Sequence, residues 1–181
     1  MLLKGHTVYV RALEPGDLDV FYEVENDTSL WQCTDVNVPY SRAVLARYLS
    51  STTGDIYADR QVRLVACLAA DDEPVAFVDL TDFSPRHLRA QVGIVVFPPY
   101  RRRGIAAQVL ALVAEYARVQ IGISLLYAVV AESNMPSQAL FAKAGYQRTA
   151  TLHRWLAVDG CRDDAAVFEK ILCPQPRGNN H

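Results

Sequence analysis

The sequence predicts one mixed α/β (α+β) domain: a twisted, mostly antiparallel central sheet of about six or seven strands, flanked by about four helices. Three observations predict it. "VRLVACLAA" and "VAFVDLTDF" are apolar, β-branched runs joined by the polar turn "DDEP", which reads as a hairpin. In the second half, strand-like and helix-like runs alternate, as helix crossovers between strands require. Finally, "WLAVDGCRDDAAVFEKIL" holds two strand-like runs across Asp159-Gly160, a strong hairpin pair.

Taken in order, Val8 to Leu13 reads as a strand. "EPGDL" breaks it and opens a helix over about Asp17 to Asn26, with Leu18, Phe21 and Tyr22 at roughly helical spacing. Ser41 can cap a second helix through Tyr48 and Leu49. The first hairpin follows, then the loop "SPRH" and the strand "LRAQVGIVVF". A helix is expected from about Gly104 to Gln120, a strand at "SLLYAVV", and a short helix in "ESNMPSQALFAKAG". Asn134 or Ser133 can cap that helix, Pro136 suits its first turn and Gly145 its end. Residues 1–172 read as one domain, and "CPQPRGNNH" as a frayed, flexible tail.

The chain has 181 residues and is 51% hydrophobic, enough to bury a core. No apolar run reaches the roughly 18 residues of a membrane span. "MLLKGHTVYV" alternates like a strand and has no secretory pattern, so a cytoplasmic location is expected. The four cysteines and four histidines form no metal-spaced cluster. A net charge of −2 argues against general nucleic-acid binding. Between Ala12 and Tyr40 there are seven acids and no Lys or Arg. Such a stretch could attract a cationic partner, or simply be a solvated helix face.

The stretch "VVFPPYRRRGIAAQVL" places Arg101, Arg102 and Arg103 just before a helix, where the dipole disfavours cations. A bound phosphate group resolves the conflict: free N–H groups at a helix start face an anion, and arginine adds bidentate donors. Gly104 lets the backbone approach, and Ala106 keeps the next turn small. Neither G-x-x-x-x-G-K-[ST] nor G-x-G-x-x-G occurs here. What remains is R-x-x-G-x-A, Arg101 to Ala106, followed by "N-x-x-S-x-x-L-F-x-x-x-G-Y", Asn134 to Tyr146.

On these two motifs, in this order and context, the chain resembles the GNAT family of acyl-CoA-dependent N-acyltransferases over about residues 6–172. "FVDLTDFSPRHLRAQVGIVVFPPYRRRGIA" and "WLAVDGCRDDAAVF" look like the branch of spermidine and ribosomal-protein N-terminal acetyltransferases. The resemblance implies acetyl-CoA as cofactor and direct attack by an acceptor amine in a ternary complex. The coenzyme pyrophosphate would sit on Arg101 to Ala107, with Gly104 and Ile105 at the helix start. Ile94, Val95 and Val96 would pair with the pantetheine arm and polarise the carbonyl. Asn134, Ser137 and Phe141 would line the other side.

Two positions depart from the family pattern. Phe141 stands where a tyrosine usually protonates the leaving thiolate. Water or another group could do so instead, Tyr146 or Tyr127 could substitute, or the protein could bind acyl-CoA without catalysis. Gln91 stands where polyamine acetyltransferases tend to carry a glutamate. Asp79 and Asp82 remain as carboxylates, on opposite faces of a regular strand unless a bulge intervenes. Asp79 is the better candidate for the site, as base or acceptor contact. Glu25, Asp27 and Asp35 could complete an acidic acceptor pocket. The expected acceptor is a small amine such as a polyamine. A protein N-terminus and a non-catalytic acyl-CoA module are the alternatives. Similar proteins include homodimers and larger rings.

Overall fold

The computed structural model describes residues 3–31, 38–158 and 160–172. Its strands are β1 (Leu3–Lys4), β2 (Val8–Ala12), β3 (Val62–Leu68), β4 (Pro74–Ser84), β5 (Arg89–Val96), β6 (Leu125–Ala131), β7 (Gln147–Val158) and β8 (Cys161–Ile171). Its helices are α1 (Leu18–Glu25), α2 (Thr28–Trp31), α3 (Arg42–Ser51), α4 (Ile56–Asp59), α5 (Ile105–Tyr116) and α6 (Met135–Lys143). The strands form one eight-stranded sheet in the order β1-β2-β3-β4-β5-β6-β8-β7. Every neighbouring pair is antiparallel except β5 with β6, which α5 connects as a crossover.

Alternation along the strands divides the sheet into two faces. Ala76, Val78 and Leu80 of β4 point to one side, where α5 supplies Val109, Leu110 and Val113 and α6 supplies Phe141. Phe77 points to the other, against Phe21 of α1 and Leu45 of α3, with Val65, Cys67 and Phe97. Phe21 and Phe97 both meet Phe77 edge-on, at 5.7 and 5.1 Å between centroids. Burying one such side chain contributes about 1.5–3 kcal/mol.

Local signals behave as their chemistry requires. The Ser41 hydroxyl accepts from the Val44 N–H at 3.3 Å, and the Asn134 side chain accepts from the Ser137 N–H at 3.1 Å. Gly145 takes a φ of +84° just past α6, a conformation glycine adopts without strain. The helix expected to reach Gln120 is α-helical to Tyr116 and closes in a π-helical turn, Ala117–Ile121, before Gly122.

Several boundaries differ from expectation. The short elements β1, α2 and α4 carry too few residues to show a period. β7 begins at Gln147, well before the expected start at Trp155. It is an exposed edge strand with register shifts at Arg148/Ala150 and Leu152/Leu156, so no buried face imposes alternation. Asp159 and the tail from Cys173 lie outside the described residues.

Candidate active site

β5 pairs with β4 up to Val96, but with β6 only from Arg89 to Gln91. Beyond Gln91 the two parallel strands diverge, leaving one edge of β5 open. The Phe97 N–H bonds back to the Val75 carbonyl at 2.9 Å. Strict alternation of an antiparallel ladder then turns the backbone groups of Val95 and Gly93 toward β4, and those of Ile94 and Val96 toward the gap. The Val96 carbonyl, facing that way, accepts from Arg101 Nε at 3.0 Å.

The basic turn stands at the end of this edge. Arg101, Arg102, Arg103 and Gly104 are all exposed. Arg102 and Gly104 have φ of +61° and +75°, which folds the turn tightly ahead of α5. The first helical bond at that end, Gln108 N–H to Gly104 O, is long at 3.4 Å. The N–H groups of Gly104, Ile105, Ala106 and Ala107 therefore precede the helical ladder and suit an anion. Arg103 lies over the Tyr100 ring at 5.6 Å. Ile105 buries its side chain in the core, so only its backbone can face a ligand.

On the α1/α3 face, the same part of β5 floors a cavity of about 500 Å³. Gly93, Ile94 and Val95 reach it from β5, Phe77, Asp79 and Thr81 from β4. Aromatic walls come from Phe21, Trp31, Tyr40 and Tyr48, and neutral polar groups from Gln61 and Gln91. Within it, Asp79 holds Arg63 through both oxygens: Nε to Oδ1 at 2.6 Å and Nη2 to Oδ2 at 2.9 Å. Arg63 Nη1 also reaches Glu25 Oε1 at 2.5 Å.

Burial opposes the charge on Arg63, but Asp79 and Glu25 outweigh it and raise its pKa. The guanidinium also lies 5.3 and 5.9 Å from the Phe21 and Phe77 ring centroids. Burial pushes the Tyr48 phenol up, against the opposing charge of Arg63. Among the described residues, the Tyr48 hydroxyl has no hydrogen-bond partner.

The expected acidic pocket is thus only partly assembled. Asp79 and Glu25 are in the cavity, as is Gln91. Asp82 is not: a register shift and a φ of +46° turn it to Arg89 and the Tyr127 hydroxyl. Bonds from Tyr127 and Arg89 hold its pKa down. Asp27 does not line the cavity either. Bonds from the Ser29 hydroxyl and from the Ser29 N–H, the latter at 2.9 Å, lower its pKa, with a smaller contribution from the Arg101 charge. Asp35 lies outside the described residues.

Phe141, expected against the cofactor, packs into the core with α6. It is 5% exposed, meets Tyr146 edge-on at 5.1 Å and stacks on Phe168 at 6.2 Å. Asn134 and Ser137 sit at the start of α6, on the β6 side of the sheet, and neither is fully exposed.

Arg63, Tyr48, Trp31, Gln61 and Gly93 escaped the sequence reading. Two carried a signal. Arg63 is a lone charge inside the apolar run "VRLVACL", and Gly93 interrupts a Val/Ile strand, where glycine often marks a close approach. Their register explains their meeting: Arg63 opposes Asp79, and Asp79 opposes Gly93. Among the described residues no cluster could hold a metal ion, and no helix is long and apolar enough to cross a membrane.

The sequence matches the acetyltransferase (GNAT) domain over residues 7–147. It is 28% identical to the N-acetyltransferase YoaA of Bacillus subtilis over 55% of this chain and 56% of that protein, about half its length. It is 24% identical to the spermidine N(1)-acetyltransferase of Escherichia coli K12 over 87% of this chain and 82% of that one. In structure it superposes on the spermidine N-acetyltransferase of Vibrio cholerae, determined with CoA and spermine, with a TM-score of 0.80. That match has 20% identity and covers 92% and 96% of the two chains. With the family match spanning most of its length, the chain belongs to the GNAT acetyltransferases and is an acetyl-CoA-dependent N-acetyltransferase.

Proposed function

We propose that this protein acetylates a small primary amine held in the cavity between α1, α3 and the sheet. One observation carries the reading: Ile94 belongs both to the open β5 edge and to the cavity wall. An acyl group laid along that edge meets an amine without crossing the sheet.

The residues fit the cofactor. Gly104 to Ala107 offer backbone N–H groups, and Arg101 to Arg103 offer cations, to a pyrophosphate. Ile94 and the Val96 N–H offer outward-facing strand groups to a pantetheine arm, with Asn134 and Ser137 across the gap. When bound, acetyl-CoA supplies an acetyl group activated as a thioester. The Ile94 and Val96 edge is then suited to donate a hydrogen bond to its carbonyl.

The amine must lose a proton before it attacks. Asp79 commits both oxygens to Arg63, whereas Glu25 gives Arg63 one and keeps the other. Glu25 is therefore the better-placed base, and Asp79 holds Arg63 in the cavity. Thiolate protonation falls to water or to Tyr48, since Phe141 has no proton to give.

A polyamine acceptor is the second reading, favoured by the spermidine acetyltransferases among the relatives. Those relatives also include a dodecamer, which supports a homo-oligomer here. The test is thiol release from acetyl-CoA with monoamines, polyamines and basic N-terminal peptides. Release with a small amine supports the reading. Release with peptides alone overturns it.

A further inference from the structure

Arg63 makes the acceptor cavity unlike a polycation site. Its described lining residues carry three charges at neutral pH: the carboxylates of Glu25 and Asp79 and the guanidinium of Arg63. Three of the five guanidinium N–H groups are spent on the two acids. The position that a substrate ammonium would take between the carboxylates is already filled. Among the described lining residues one negative charge remains uncompensated, which balances one ammonium and not three or four.

The rest of the wall agrees. Phe21, Leu30, Trp31, Tyr40 and Phe77 present apolar and aromatic surface, and the remaining polar groups include the neutral Gln61, Thr81 and Gln91. Asp27 and Asp82, two of the acids that could have added charge, are turned to other partners. Two acids and two rings around it keep Arg63 charged against the cost of its burial, so its repulsion of a second substrate cation persists across physiological pH.

We infer that the acceptor is a monoamine on an apolar, aromatic-sized body, and that Arg63 is the specificity residue that excludes polyamines. The inference rests on the acceptor-cavity reading above, and opposes the polyamine alternative.

The experiment is calorimetric titration of the coenzyme A-saturated protein with 2-phenylethylamine and with spermidine, on wild type, Arg63→Gln and Arg63→Lys. Wild type should bind 2-phenylethylamine at least about tenfold more tightly than spermidine. Arg63→Gln should shift that ratio toward spermidine by about tenfold, and Arg63→Lys, which keeps the charge, should leave the preference with the monoamine. Equal or tighter spermidine binding by wild type overturns the inference, as does an unchanged ratio in Arg63→Gln. Failure of both amines to bind also overturns it. Coenzyme A binding in the same samples then shows whether the acetyltransferase site itself stands. If Arg63→Gln does not fold, the wild-type ratio and Arg63→Lys still decide.

Discussion

Arg63 and Asp79 stand directly opposite each other on β3 and β4, and the guanidinium grips both carboxylate oxygens, at 2.6 and 2.9 Å. Neither is free to act alone. Breaking such a half-buried pair strands a charge, which costs more than the pair itself contributes.

This separates two carboxylate variants. Glu25→Gln should lower kcat by about a hundredfold, in the range of a lost general base, with coenzyme A affinity unchanged. Asp79→Asn should act mainly through Arg63, raising the acceptor KM more than it lowers kcat. Steady-state kinetics beside calorimetry checks both, and equal kcat in wild type and Glu25→Gln removes Glu25 as base.

The basic turn makes a simpler prediction. Arg101→Ala with Arg103→Ala should weaken coenzyme A binding by about tenfold or more, and dephospho or truncated thiols should lose less. Thermal stability should change little, because both side chains are exposed. Unchanged coenzyme A affinity removes the turn from the cofactor site.

Gly93 tests the cavity floor. A Cβ built there meets nothing within 4 Å and its φ is ordinary, so Gly93→Ala should fold normally. Gly93→Leu should fill the cavity in front of Asp79 and raise the acceptor KM severalfold, while coenzyme A still binds. Acetylation kinetics with unchanged acceptor KM would place the acceptor elsewhere.

Asp17 offers a pH test of stability. It is 5% exposed and accepts from both Arg11 terminal nitrogens at 2.7 and 2.8 Å and from the Glu14 N–H at 2.8 Å. Burial pushes its pKa up, but these bonds outweigh it and hold the carboxyl below its ordinary value. A depressed folded pKa contributes stability above the unfolded value, near 4, that is lost as pH falls through the folded one. Asp17→Asn should therefore cost about 2 kcal/mol at pH 7, and the gap to wild type should close as pH falls through the lowered folded value. Denaturant melts across pH read this out.

Tyr146 gives the opposite sign. Its hydroxyl is buried without a partner among the described residues, and burial raises its pKa so that it stays neutral. Tyr146→Phe should be neutral or stabilising by up to about 1 kcal/mol, since it removes an unsatisfied polar atom. A clear loss of activity without loss of stability would instead give the hydroxyl a chemical role.

The sequence alone determined what is local or periodic. Buried strands show themselves by β-branched runs, as in "VRLVACLAA" and "VAFVDLTDF"; Ser41 and Asn134 cap by short-range bonds; and the motif Arg101 to Ala106 sits between a strand and a helix because one turn makes it. What it left dark lacked a period or a local partner, as in the edge strand β7 and the short elements α2 and α4. The tertiary structure alone decided which acids share a cavity. Glu25, Arg63 and Asp79 come from a helix and two strands, and only sheet register and the packing of α1 bring them within bonding distance. Asp82, three residues from Asp79, leaves the cavity face by alternation, and a register shift turns it out to Arg89 and Tyr127. Charge pairing acts through space over a few ångström, and sequence separation does not encode that distance until the chain has folded.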